Sequence, residues 1–266
     1  MSNHVSVRRP ISQTASIIAP GVGRPVPGEI ENDWPDRVYA LIKFFRNEEH
    51  LDALIAGTIY ANTPEYYRLH KGLGVSDVHE SVGFSYRAKR NDPKPRMLIN
   101  GREIKDLTSA TMRFGNRKDS WLHSWVAIAI PRNEEDLRNL VRDLKRLQSE
   151  FGQHYAVIGG GPNVAEFIRR VSATTTHAVD FQPVKYSDEV ELQSPTCKRL
   201  QYQYQREARL LLGECNDHHT EPLILNDPKG FGDLIQKNAE LSIVNRTTGQ
   251  HMLDLRPQGR ISCMLD

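Results

Sequence analysis

Hydrophobic and polar positions along the chain form short blocks whose period changes every few residues. Val38-Tyr39-Ala40-Leu41-Ile42-Lys43-Phe44-Phe45 is a β-branched and aromatic run, which predicts a strand. Asn47 follows, then Glu48 and Glu49, then Leu51, Leu54, Ile55 and Gly57. An N-cap type, acids in the first turn, apolar residues at helical spacing and a closing glycine predict a helix over 48–56. Thr58 to Asn62 then reads as a second strand. Residues 62–120 are mostly polar, with strands expected at 82–88, 97–104 and 108–114 and a hairpin across Asn100-Gly101. Trp121 to Ile130 predicts a buried strand. Pro131 to Asp136 opens an amphipathic helix with the stripe Leu137, Leu140, Val141, Leu144 and Leu147.

Further on, Tyr155–Ile158 predicts a strand, Gly159 to Asn163 a turn and Val164–Val171 a helix. His177–Phe181 and Val184–Tyr186 look strand-like, and 190–200 a helix or turn. Tyr202–Leu212 is the most strand-like stretch of the C-terminal half. Residues 222–225 and 240–244 are further strands, with a short helix over Phe231–Lys237 between them. The succession is strand-rich with intermittent helices. It predicts an α+β fold, a mixed and mostly antiparallel sheet with a few flanking helices, as a single domain over 36–266. Residues 1–35 carry five prolines and three glycines without any period, and predict a flexible arm with at most short extended pieces.

Composition narrows the class. The chain has 266 residues, 38% of them hydrophobic, with 35 Lys and Arg against 33 Asp and Glu. Such balance excludes wholesale disorder and gives no support to binding driven by bulk positive charge. No apolar run approaches the ~20 residues of a membrane span, and three cysteines make no disulfide framework. The expectation is a cytoplasmic protein with no membrane association. Arg138, Arg142, Lys145 and Arg146 form the wet face of the amphipathic helix, which reads as solvated rather than nucleic-acid-binding.

Four constellations could carry chemistry. Gly159-Gly160-Gly161-Pro162-Asn163-Val164, with Asp180 downstream, has the outline of a dinucleotide turn. Val164 stands where the third glycine would be, so a plain turn into a helix is the simpler account. Cys215, His218 and His219 lack the paired spacing of a zinc site, and no metal is expected. His123 and Ser124 are adjacent on a predicted strand and point to opposite faces, and nothing else suggests a nucleophile. In the run Tyr202 to Leu212, a strand would place Gln205, Glu207 and Arg209 on one face. A carboxylate and an amide there could work on one small substrate, with Glu207 accepting from a ribose hydroxyl and Gln205 orienting a nucleophile. On spacing alone the simpler account is a polar strand face with a Glu207–Arg209 pair, worth about 0.2–1 kcal/mol.

Two segments bear on that choice. Ile42-Lys43-Phe44-Phe45-Arg46, the helix 48–56 and Gly57-Thr58-Ile59-Tyr60 resemble the opening of ADP-ribosyltransferase-like domains. Gln205-Arg206-Glu207 looks like the Gln/Glu-x-Glu signature of the same superfamily. The larger frame of Asn62-Thr63-Pro64, Asp77 and Glu80 early and Tyr204 to Arg209 late is similar to a family of bacterial and phage-borne proteins in that orbit. The resemblance implies NAD as substrate, Glu207 and Gln205 as catalytic residues, and Lys43 or Arg46 on the nicotinamide–ribose half. It also implies Tyr60, Tyr66 or Tyr67 as the aromatic against nicotinamide, and Ser124 as a weak match to a serine strand. The implied activity is ADP-ribosyl transfer to a macromolecular acceptor, nucleic acid or protein, in a toxin or phage-conflict setting. The alternative is an inert relative that binds a nucleotide, nucleic acid or protein. The enzymatic reading requires Lys43 or Arg46 and Glu207 to converge on one concave site.

Overall fold

Val38–Phe45 alternates its side chains between two buried layers, with Leu41 on one side and Ala40, Ile42 and Phe44 on the other. A strand buried on both faces belongs in the middle of a sheet, and this one is flanked by Asp119–Ala129 and His154–Gly159. The computed structural model describes residues 3–7 and 38–264, apart from 73, 101, 116, 117, 246, 247 and 257–259. Its central sheet has six strands in the order Val179–Pro183, Glu207–Cys215, Asp119–Ala129, Val38–Phe45, His154–Gly159, Gln236–Lys237. Every pairing within it is antiparallel. A parallel pairing occurs outside it, between Lys185–Tyr186 and Cys197–Lys198. The fold is α+β.

Four α-helices lie among the described residues: α1 (Glu48–Ile55), α2 (Pro64–Leu69), α3 (Glu134–Phe151) and α4 (Gly161–Ala173). One face of the sheet buries Leu41, Trp125, Ile158 and Leu210 against apolar residues of α1, α4 and the Phe231 segment. The other buries Ile42, Val126 and Val157 against the α3 stripe and against Leu241, Ile243, Leu253 and Leu255. Those last residues belong to a second sheet of Asn3–Val7, Leu241–Asn245, His251–Arg256 and Arg260–Cys263. No described helix is long and apolar enough to cross a membrane.

Two glycines fix where the helices end. Gly57 follows α1 at φ +114°, and a Cβ there would sit 2.1 Å from the Asp227 carbonyl oxygen. Only glycine permits this approach, through which Asp227 N–H bonds Gly57 O and Phe231 N–H bonds Ile55 O. Gly152 after α3, at φ +109°, lies equally tight against Phe45. It brings the end of α3 to the end of the first central strand.

The N-terminal arm includes a short extended piece of the kind expected, Asn3–Val7, paired with Leu241–Asn245; residues 8–35 lie outside the described ones. Several expectations are corrected. Asn47 occupies the N-cap of α1, but its side chain makes no capping bond there. The short helix over Phe231–Lys237 is a turn that ends in the strand Gln236–Lys237. Tertiary bonds claim its backbone and loop, with Phe231 N–H on Ile55 O and Arg170 holding Asp227 and Asp233. Helix α2 was not anticipated, because ion pairs replace its apolar face. Buried Arg68 binds Glu65 at 2.8 Å and Asp119 at 3.1 Å. The strand expected from Tyr202 starts only at Glu207. Leu200–Gln205 is a 3-10 turn, and Arg206 takes a left-handed conformation at φ +46° between the two.

Candidate functional site

The site begins where the central sheet splits. The last pair between Val38–Phe45 and Asp119–Ala129 is Ile42 with Val126. Beyond it the first strand goes on pairing with 154–156 on its other side, through Lys43, Phe44 and Phe45. The second goes on pairing with 209–212, Ser124 opposite Arg209. A cleft of about 660 Å3 opens at the split, and α1, α2 and the Gly74–Val75 and Gln205 segments contribute to its walls. Asn62 bridges to Leu122 and ties the Thr58–Ala61 strand to the same wall.

The residues to which the resemblance points all line this one cleft: Lys43, Arg46, Tyr60, Tyr66, Tyr67, Ser124, Gln205 and Glu207. Lys43 spans the split, with Nζ donating to the Ser124 carbonyl at 2.7 Å. Burial lowers its pKa to about 8, and the charge of Glu207 acts against that shift. Arg46 lies at the exposed rim and donates to the Glu150 carbonyl near the end of α3. Tyr60 is half exposed, whereas burial of the Tyr67 hydroxyl raises its pKa to about 12.

Glu207 is buried and engaged at both oxygens. Lys198 Nζ donates to Oε1 and Arg209 Nε to Oε2, each at 2.7 Å, and its N–H donates to the Tyr186 hydroxyl at 2.8 Å. Burial alone would raise its pKa, but the two cations hold the carboxyl well below the usual range. Gln205 is equally fixed. Its Oε1 accepts from Lys198 at 2.8 Å, and its Nε2 donates to Gly74 O at 2.8 Å. The left-handed Arg206 between them is what lets both side chains reach one ammonium although only Glu207 is on the strand.

Sequence reasoning missed most of what holds the pair. Lys198 stands in no motif, yet it also lies 3.4 Å from Glu80. Arg209 grips Glu80 through Nη1 at 2.7 Å and Nη2 at 3.1 Å. Asp77 lies beside this cluster, and burial together with Glu80 raises its pKa to about 6. Asp77 and Glu80 were legible only as part of a loose frame. The Glu207–Arg209 strand-face pair expected on the bland account is present as well, inside a larger network.

His123 enters the cleft for a reason its sequence neighbourhood concealed. Its Nδ1 lies 3.1 Å from the Tyr60 carbonyl, which can only accept, so Nδ1 carries the proton. Its Nε2 is buried with no hydrogen-bond partner, as are Trp125 Nε1 and Asn62 Oδ1. Burial, then the nearby Lys43 charge, keep this imidazole neutral with its pKa well below the usual value. All three residues line the cleft, but these atoms themselves are closed to solvent.

The other constellations disperse. Gly160 caps α4 at the end of the His154–Gly159 strand, while Asp180 is exposed on the edge strand Val179–Pro183. Four strand spacings, ~19 Å, separate those strands, and the sheet between them is antiparallel. This rules out the dinucleotide arrangement. Among the described residues no group of His, Cys, Asp and Glu is placed to hold a metal, and burial pushes the Cys215 thiol up to about 12. Comparisons with protein families, curated proteins and solved structures find no match for this chain.

Proposed function

We propose that the cleft at the sheet split binds NAD, and that the protein transfers ADP-ribose to a macromolecular acceptor. The observation that carries this reading is the meeting of Lys43, Ser124, Gln205 and Glu207 across the split, on elements more than eighty residues apart in sequence. Tyr60, Tyr66 and Tyr67 offer aromatic faces to a cationic nicotinamide ring. An ionised carboxylate has about four lone-pair sites. Glu207 therefore keeps capacity for a ribose hydroxyl beyond its bonds to Lys198 and Arg209. In the reaction the bond from C1′ to the nicotinamide nitrogen breaks and nicotinamide leaves with the electron pair. The acceptor nucleophile bonds C1′ and releases its proton to solvent. Glu207 contributes negative charge near the developing oxocarbenium centre.

A second reading has its own observation. Lys198 and Arg209 cancel much of the charge Glu207 could offer, as they would in an inert relative that binds a nucleotide through the same cleft. Nicotinamide release from NAD by the purified protein, with and without cell lysate, separates the two. The transferase reading expects lysate-dependent release that disappears in Glu207→Gln. Release without lysate indicates hydrolysis of NAD. Absence of release, with NAD still bound, overturns catalysis in favour of the binding protein.

A further inference from the structure

A second groove, of about 410 Å3, lies between the outer face of α3 and the 3-10 turn Leu200–Gln205. Arg142 and Arg146 enter it from the helix and Arg206 from the left-handed junction before Glu207. Asp143, at the same groove, accepts from Arg206 Nε at 2.8 Å, and Glu150 accepts from Arg146 Nε at 2.8 Å. Three guanidinium groups therefore face two carboxylates. Arg142 is the most weakly held of the three, in a long ion pair with an Asp143 that Arg206 already binds. It is 73% exposed, and its Nε is 3.9 Å from Asp143, too far for a hydrogen bond. The Arg146 guanidinium stacks on the Tyr204 ring at 3.3 Å from its centroid, which makes a flat cationic platform beside Arg142. Gln201, Gln203 and Asn139 add amides to the rim.

We infer that this groove binds single-stranded nucleic acid, seating one nucleotide with its phosphate on Arg142 and Arg206 and its base on the Arg146–Tyr204 platform. A guanidinium fork matches phosphate oxygens in pairs, and a base stacks on tyrosine and arginine planes once it has left its own stack. An acidic peptide would satisfy the arginines but leave the planar platform and the rim amides without matching groups. The groove also adjoins the cleft. Tyr204 accepts from Gln205 at 3.3 Å and Tyr186, which lines the groove, accepts from the Glu207 N–H. The inference stands on the groove alone, and joined to the transferase reading it makes the acceptor a nucleic acid. It also revises the expectation that the basic face of α3 is merely solvated, because half of that face lines a concave site.

The test is fluorescence anisotropy of a fluorescein-labelled mixed-sequence 12-nucleotide RNA, and its DNA counterpart, with the full chain over a range of salt concentrations. Arg142→Ala is expected to weaken binding about tenfold. It should also reduce the slope of log K against log salt by about one. Arg138→Ala, one turn earlier on α3, where Arg138 is 63% exposed and outside the groove, should change affinity less than twofold. Equal effects of the two substitutions, or no binding at any salt concentration, would overturn the inference. Polyglutamate competing as well as unlabelled RNA would overturn it in favour of an acidic peptide. Nicotinamide release is read separately, so binding without release refutes only the transferase reading, and release without binding refutes only this one.

Discussion

Replacing Asp77 by Asn should stabilise the protein at neutral pH and leave it nearly unchanged in acid. Asp77 is 3% exposed, and its carboxylate accepts from the His79 N–H at 2.9 Å. Glu80 repels its charge, while Lys198 and Arg209 offset only part of the burial cost, which puts the pKa near 6. An unfolded aspartate titrates near 3.9. Between those values the folded chain keeps a proton that the unfolded chain releases. Stability present below about pH 4 is therefore lost as pH rises through 6. The interval of about two units corresponds to roughly 3 kcal/mol by pH 7.5, and to about half a kcal/mol at pH 4. Asn is neutral throughout and its Oδ1 can still accept from His79, so the variant should escape that loss. Urea unfolding of both proteins, followed by tryptophan fluorescence at pH 4 and 7.5, measures the difference directly, and other titrating groups cancel between them. In thermal melts the gain at pH 7.5 should appear as roughly 6–12 °C. An Asn variant less stable at pH 7.5, or one differing equally at both pH values, would refute the reasoning and make Asp77 a paired, ionised member of the network.

Two further outcomes follow from the same cluster. Lys198→Met leaves Glu207 and Glu80 with Arg209 as the remaining cation and should cost about 3–5 kcal/mol. Adding Glu207→Gln should cost less than the sum of the single changes by about 1–3 kcal/mol, and additive urea-unfolding energies would contradict the coupling. Lys43 should react with an amine-modifying reagent with a midpoint near pH 8, where exposed lysines titrate near 10.4. Glu207→Gln should lower that midpoint further, because the Glu207 charge favours the ammonium. Peptide mapping reads both, and a Lys43 midpoint near 10 would show the ammonium to be well solvated.

Elements built on apolar periodicity were legible along the chain. The α3 stripe, α1 with its closing Gly57 and the strands at 38–45, 119–129 and 154–159 follow from local spacing, because each side chain's direction is set by the period of its own element. The elements that eluded such reading lack that signal. Helix α2 buries Glu65 and Arg68 in ion pairs, and the turn after Phe231 is held by bonds to α1 and α4. The strands at 251–256 and 260–263 also went unanticipated, although Leu253 and Leu255 are buried.

The candidate site divides along the same physical line. By itself the sequence determined the fold class and, through type and spacing, marked Gln205 and Glu207 as chemically suggestive, whereas Lys43 and Ser124 entered through the resemblance. The tertiary structure alone decided that the sheet parts after Ile42 and Val126, so that Lys43 reaches Ser124 across 81 positions. It alone decided that Arg209 pairs with Glu80 across 129 positions, and that Lys198 ties Gln205 to Glu207. A buried charge takes whichever partner the fold brings within about 3 Å, because leaving it unpaired costs several kcal/mol. That partner is chosen by packing between distant segments, which no local pattern records.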